Sequence, residues 1–140
     1  MRALRFLCDL CGKLAKLDIA KNTALTHLNV GNNKLTKLDV SKNSALTNLS
    51  VGNNHLTELD VSQNTKLKQL FLNNNLFDAA ALNALFGTLH SANANSAFVK
   101  FPDDPVIYSK AIYISCNPGS KNCDQIIAKD KGWGVDTYCH

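Results

Sequence analysis

Apolar positions in this chain recur at a fixed interval. Residues 24 to 77 read as ALTHLNVGNNKLTKLDVSKNS, ALTNLSVGNNHLTELDVSQNT and KLKQLFLNNNLF. The spacing is 21 residues: Leu25, Leu46, Leu67; Leu28, Leu49, Leu70; Val30, Val51, Leu72; Asn33, Asn54, Asn75. Each unit holds a shorter echo, since Leu25, Leu28, Val30 and Asn33 are followed by Leu35, Leu38, Val40 and Asn43. A period between 20 and 50 residues is the mark of a solenoid.

The spacing dictates local geometry. Leu28 and Val30 lie two apart, which turns both side chains to one face of an extended segment and Asn29 to the other. One such turn cannot bury its own apolar face, so neighbouring turns stack and build a shared core of aliphatic columns. Asn33, Asn54 and Asn75 fall where each strand must bend. An Asn amide donates and accepts there, satisfying main-chain groups left unpaired. Asn22, Asn43 and Asn64 are placed to do the same on the second half-turn.

Toward the N-terminus, Leu4, Leu7, Leu14, Leu17 and Ile19 stay in register with Leu25, Leu28, Leu35, Leu38 and Val40. Asp9 and Gly12 replace the inward Val and Asn, so residues 3 to 23 form a degenerate first repeat. Its open edge is expected to be covered by further upstream repeats or by self-association.

After residue 77 the period changes. Leu82, Leu85, Phe86 and Leu89 have helical spacing after Asp78, a good N-cap. Residues 90 to 95 read as a loop, and Phe98 and Phe101 precede a Pro102–Pro105 turn. Ile112-x-Ile114-x-x-Asn117 repeats the core motif and predicts the last strand of the sheet. A helix over 121–131 ended by Gly132 follows, after which Trp133 and Val135 fold back, with Trp133 as a plug.

The motif LxxLxLxxNxL resembles the leucine-rich repeat. Its doubled form, LxxLxVxxNxLxxLDVSxN, resembles the irregular 21-residue, internalin-like class of bacterial secreted and surface proteins. The likeness covers roughly residues 3 to 77. It implies an α/β fold: a right-handed solenoid with a parallel β-sheet on one face, and room for short strands on the second half-turn. It also implies an α-helical C-terminal cap over 78–140, entered through an Asn-Pro-Gly turn and carrying a Gly-Trp pair. The whole chain, 1–140, then makes a single domain. Activity in such proteins is binding through the sheet face, and the resemblance implies no cofactor.

Composition narrows the options. The net charge is +4, but the lysines are scattered among Asp18, Asp39 and Asp60, and Arg2 and Arg5 are the sole arginines. That pattern is a solvated face, not the basic stripe of a nucleic-acid binder. No run of 18 apolar residues offers a membrane span. The opening MRALRFLCDLCGKL looks like an export signal, yet it keeps the repeat register, so a signal is expected upstream of a secreted or surface-displayed chain.

Five cysteines bear on redox and metal chemistry. Cys8-x-x-Cys11 lacks a second ligand pair for zinc, and His27, His55, His90 and His140 stand apart. Cys116 and Cys123 flank a Pro-Gly turn, where a short disulfide suits an exported protein. Cys139-His140 makes a weak nucleophile candidate at the end of the chain. No metalloprotease, P-loop or dinucleotide motif occurs, and the chain reads as a non-enzymatic binding module.

Binding residues are sought on the outward columns. These are Phe6, His27, Asn48, Gln69; Cys8, Asn29, Ser50, Phe71; and Gly31, Gly52, Asn73. Phe6 and Phe71 are the aromatic members of a mild polar surface, the usual form of a hot spot. Phe71 has a second possible place, packed under the helix that starts at Asp78 or under the loop that follows it. The candidate surface is therefore Phe6, His27, Asn29, Asn48, Ser50, Gln69 and Phe71, for a protein or glycan partner. A structural cap or spacer in a larger surface adhesin is the alternative role. On the second half-turn Asp18, Asp39 and Asp60 stack one coil apart and need hydrogen bonds, or a cation, to relieve their repulsion.

Overall fold

The computed structural model describes residues 12–91, 99, 100, 107, 108 and 110–137. The expectations for Phe6, Cys8, Asp9, Cys11, Phe98, Phe101, the Pro102–Pro105 turn and Cys139-His140 lie outside them.

Each repeat contributes one three-residue strand: β1 (His27–Asn29), β2 (Asn48–Ser50) and β3 (Gln69–Phe71). The strands pair in parallel with Leu28 beside Leu49 and Leu49 beside Leu70. The 21-residue period thus becomes a spatial file, with Leu25, Leu46 and Leu67, and Val30, Val51 and Leu72, buried in parallel files. The second half-turns add Leu35 and Leu56, and Val40 and Val61, to the same core. Those half-turns are bends without strands, so the short strands the resemblance allowed there do not form.

The strands are short because the Gly-Asn-Asn segment (Asn-Asn-Asn after β3) turns the chain at once. Asn32, Asn53 and Asn74 adopt left-handed backbone, with φ of 56°, 56° and 53°. Asn is among the few non-glycine residues that visit this region routinely. The doubled Asn therefore divides two tasks: the first makes the turn, and the second points inward. At Asn53, replacement by Gly should change unfolding free energy by only about 0.5 kcal/mol. Replacement by Val should cost about 1–2 kcal/mol, as read from urea titrations of the two variants. Equal stability of the two would remove the backbone explanation for the first Asn.

The second Asn ties coil to coil. Asn54 Oδ1 accepts from Leu35 N at 2.9 Å, and its Nδ2 donates to Val30 O at 3.0 Å and Val51 O at 2.9 Å. Asn33 and Asn75 repeat the pattern through Leu14 N and Leu56 N. On the other half-turn Asn43 Nδ2 donates to Ile19 O and Asn22 O, and Asn64 Nδ2 to Val40 O and Asn43 O. Asn22 differs from the expectation. It is exposed and joins through its carbonyl, which accepts from Asn43.

After β3 the repeat is interrupted by α1 (Ala79–Thr88), which Asp78 caps by accepting from Ala81 N at 2.7 Å. Leu82, Leu85 and Phe86 face inward, and Thr88 Oγ1 accepts from Val61 N at 3.2 Å, docking α1 on the preceding half-turn. An antiparallel pair, β4 (Val99–Lys100) and β5 (Ile107–Tyr108), follows. Then β6 (Lys110–Tyr113) returns to the sheet beside β3, with Ile112 beside Leu70. Asn117 resumes the ladder: its Oδ1 accepts from Phe77 N, and its Nδ2 donates to Leu72 O and Ile114 O.

Two expectations about the C-terminal part are corrected. β6 is not the last strand, because β7 (Trp133–Asp136) pairs with it in parallel and closes the order β1-β2-β3-β6-β7. The helix over 121–131 is a single turn, α2 (Ile126–Lys129). Residues 117–123 instead fold as successive turns, with Ser120 N donating to Asn117 O and Cys123 N to Gly119 O. Gly119 sits so close to the start of α1 that a Cβ would lie 2.1 Å from Ala79 N, so only glycine fits.

The expected Cys116–Cys123 disulfide is also overturned. Cys116 is disulfide-bonded, whereas Cys123 is a free thiol, so the two are not joined. Cys116 occupies the turn position of Asn53 and Asn74, with φ of 58°. Cys123 instead packs against the core, its Sγ 3.5 Å from Ser120 O, and burial raises its pKa. Nearness in sequence does not by itself give two cysteines the Cβ separation and orientation that a disulfide requires.

Candidate binding face

The sheet carries its outward residues in two aligned rows. One is His27, Asn48, Gln69, Ala111, Gly134, of which the last two are buried; the other is Asn29, Ser50, Phe71, Tyr113, Asp136. His27, Asn29, Asn48, Ser50, Gln69 and Phe71 are thus brought onto one face, while Phe6 lies outside the described residues. The Phe71 ring stacks on Tyr113, centroids 4.5 Å apart and planes within 5°. Phe71 is only half-buried, and its ring partner belongs to β6.

Tyr113 was missing from the surface read from sequence. The signal was present: placing Ile112 in file with Leu70 puts Tyr113 beside Phe71. Burial raises the Tyr113 hydroxyl pKa above its ordinary 10.0, and the charge of Asp136 adds to this. The pair therefore stays neutral through the physiological range.

Around it the face is polar and locally tied. Asn48 Nδ2 donates to Gln69 Oε1 at 2.6 Å, and Thr47 Oγ1 donates to Asn48 Oδ1 at 2.9 Å. Asn29 Oδ1 accepts from Gly31 N at 3.1 Å, and His27 Nδ1 lies 3.0 Å from Thr26 Oγ1. A Cβ at Gly52 would lie 2.8 Å from Asn73 Oδ1, so the absent side chain is what lets Asn73 spread across the turn. The amides are oriented before any partner arrives, which lowers the ordering cost of binding.

The stacked acids on the other half-turn are relieved by main-chain donors. Asp18, Asp39 and Asp60 each accept from the N–H two residues on, at 2.9, 2.8 and 2.7 Å. Hydrogen bonds from Ser41, side chain and backbone, hold the exposed Asp39 carboxyl below its ordinary value. Among the described residues no group of three or more His, Cys, Asp or Glu converges as metal ligands would. Nor is any described helix long and apolar enough to cross a membrane.

No family profile matches the chain, and no curated protein matches it significantly. Solved structures do. The functional domain of InlJ from Listeria monocytogenes, described as including a cysteine ladder, aligns with a TM-score of 0.58 and 28% identity. That alignment covers 84% of this chain and 21% of InlJ's. The internalin InlF from the same species aligns with a TM-score of 0.61 at 19% identity, over 87% of this chain and 31% of InlF's. The chain thus spans about a fifth to a third of the structures it matches. With the 21-residue period, the parallel files and this likeness together, the chain folds as a leucine-rich-repeat solenoid, similar to the Listeria internalins.

Proposed function

We propose that this chain is a non-enzymatic binding module that captures a protein partner on the sheet face, around Phe71 and Tyr113. The observation that carries the reading is the stacked aromatic pair, half-buried among pre-oriented amides with the Asp136 carboxylate beside Tyr113. Aromatic side chains give large contact area at low entropic cost and dominate interface energetics. The likeness to internalins supports the reading, as does the resemblance of the repeat to exported bacterial proteins, and the module is accordingly secreted or displayed at the cell surface. Self-association through the N-terminal edge is a secondary mode.

The test is a photo-crosslinker placed at position 69, beside the pair, and at the exposed position 44, away from the sheet strands. The first should trap a partner that the second does not. With that partner purified, Phe71→Ser and Tyr113→Ser should each weaken binding by about 2 kcal/mol, roughly 30-fold, with little change in Tm. Unchanged affinity in both variants would dismiss the face. It would favour the second reading, a structural spacer within a larger surface protein.

A further inference from the structure

Away from the sheet, α1 runs beside the second half-turns and leaves a groove of about 990 Å³. Its floor is apolar. Leu38 and Leu59, 9% and 7% exposed, are the least covered of the core leucines, and both line it. Across from them stand Ala81 and Ala84 of α1, whose short side chains keep the groove open.

The rim carries charge of the wrong sign for this chain. Asp39, Glu58, Asp60 and Asp78 line the groove against one ammonium, Lys37, which is 3.8 Å from Glu58. The protein as a whole is +4. Asp39 and Asp60 occupy equivalent positions one coil apart. Each uses Oδ1 for its own turn, and Asp39 also takes a hydrogen bond from the Ser41 side chain, but both carboxylates stay exposed to solvent. Two stacked carboxylates above a greasy floor form a site for a planar cation on an aliphatic stem. A guanidinium fork spans two carboxylates, and its methylenes lie on Leu59 and Ala84; an ammonium is a compact point charge and bridges them less well.

We propose that this groove takes an arginine side chain presented by an extended segment of a partner protein. The site is separate from the Phe71 face and does not depend on it.

The probe is the fluorescently labelled peptide acetyl-Ala-Arg-Ala-Arg-Ala-amide, followed by anisotropy with the full chain at low salt. The doubly substituted Asp39→Asn, Asp60→Asn chain should bind at least about tenfold more weakly. Asn keeps the side-chain oxygen that each turn needs, so this variant retains the fold, which its melting curve checks. Ala84→Leu, which fills the groove without touching charge, should also weaken binding, and the lysine counterpart of the peptide should bind several-fold less well. Phe71→Ser should bind the peptide as the unsubstituted chain does. Equal binding by the double variant, or by the lysine or glutamate counterparts, overturns the proposal.

Discussion

Asn54→Ala should destabilise the solenoid by about 4 kcal/mol, lowering Tm by roughly 10 °C or more. Asn54 is 4% exposed and serves four main-chain groups on two coils: Leu35 N, Val30 O, Val51 O and, at a longer 3.3 Å, Gly52 O. Alanine offers none of these bonds, and each buried group left unpaired costs about 1–3 kcal/mol. The ladders also set an order among the asparagines. Asn64 donates to Val40 O and Asn43 O, but its Oδ1 is buried with no hydrogen-bond partner, so Asn64→Ala removes fewer bonds and should cost less. Asn22→Ala, at an exposed side chain, should stay within about 0.5 kcal/mol. Urea titration of the three variants measures the order. A loss below about 1 kcal/mol at Asn54 would mean that water replaces the amide, and the ladder would not be what holds coil to coil.

How much of this was legible before coordinates differs by residue. Leu28, Leu49 and Leu70 were legible because a repeat writes its contacts as a period: whatever Leu49 touches, its neighbours 21 residues away touch too. Asn117 was legible for the same reason, since Ile112 and Ile114 announce it even after a long interruption. α1 showed through the spacing of Leu82, Leu85 and Phe86. What stayed hidden lacked a periodic partner. β7 is four residues with no copy elsewhere, and only its pairing with β6 identifies it as a strand. The turn role of Asn32, Asn53 and Asn74 was masked by the second Asn, because a positive φ leaves no mark in a hydrophobic pattern. The disulfide was misread because spacing between Cys116 and Cys123 says nothing about side-chain direction. On the candidate face, His27, Asn48 and Gln69 were found by counting, whereas Tyr113 needed the register to be carried one strand further.

Trp133→Ala should cost about 4 kcal/mol, by a route different from that of Asn54. The side chain is fully buried, its Nε1 donates to His90 O at 2.9 Å, and its ring meets His90 edge-on at 5.8 Å. Truncating a buried Trp typically costs about 3–5 kcal/mol, to which the lost donor at the His90 carbonyl adds. Lys131 Nζ donates to Phe86 O and Gly87 O, so the segment around Trp133 also ties down the end of α1. In a solenoid each unit is held by its neighbours, so damage at one end loosens that end first. Hydrogen exchange should therefore accelerate through β6, β7 and α1 while the amides of β1 and β2 remain slow. Trp133→Phe, which keeps most of the bulk and loses the donor, should cost only about 1–2 kcal/mol. Tyr113 lies on β6, directly beside β7, so loosening this end also frees the ring that supports Phe71. Trp133→Ala should then weaken capture on the sheet face from a position that no partner touches, with Trp133→Phe restoring most of it. Uniform acceleration of exchange along the whole chain would show that the coils and the C-terminal part unfold as one unit, and the local account would fail.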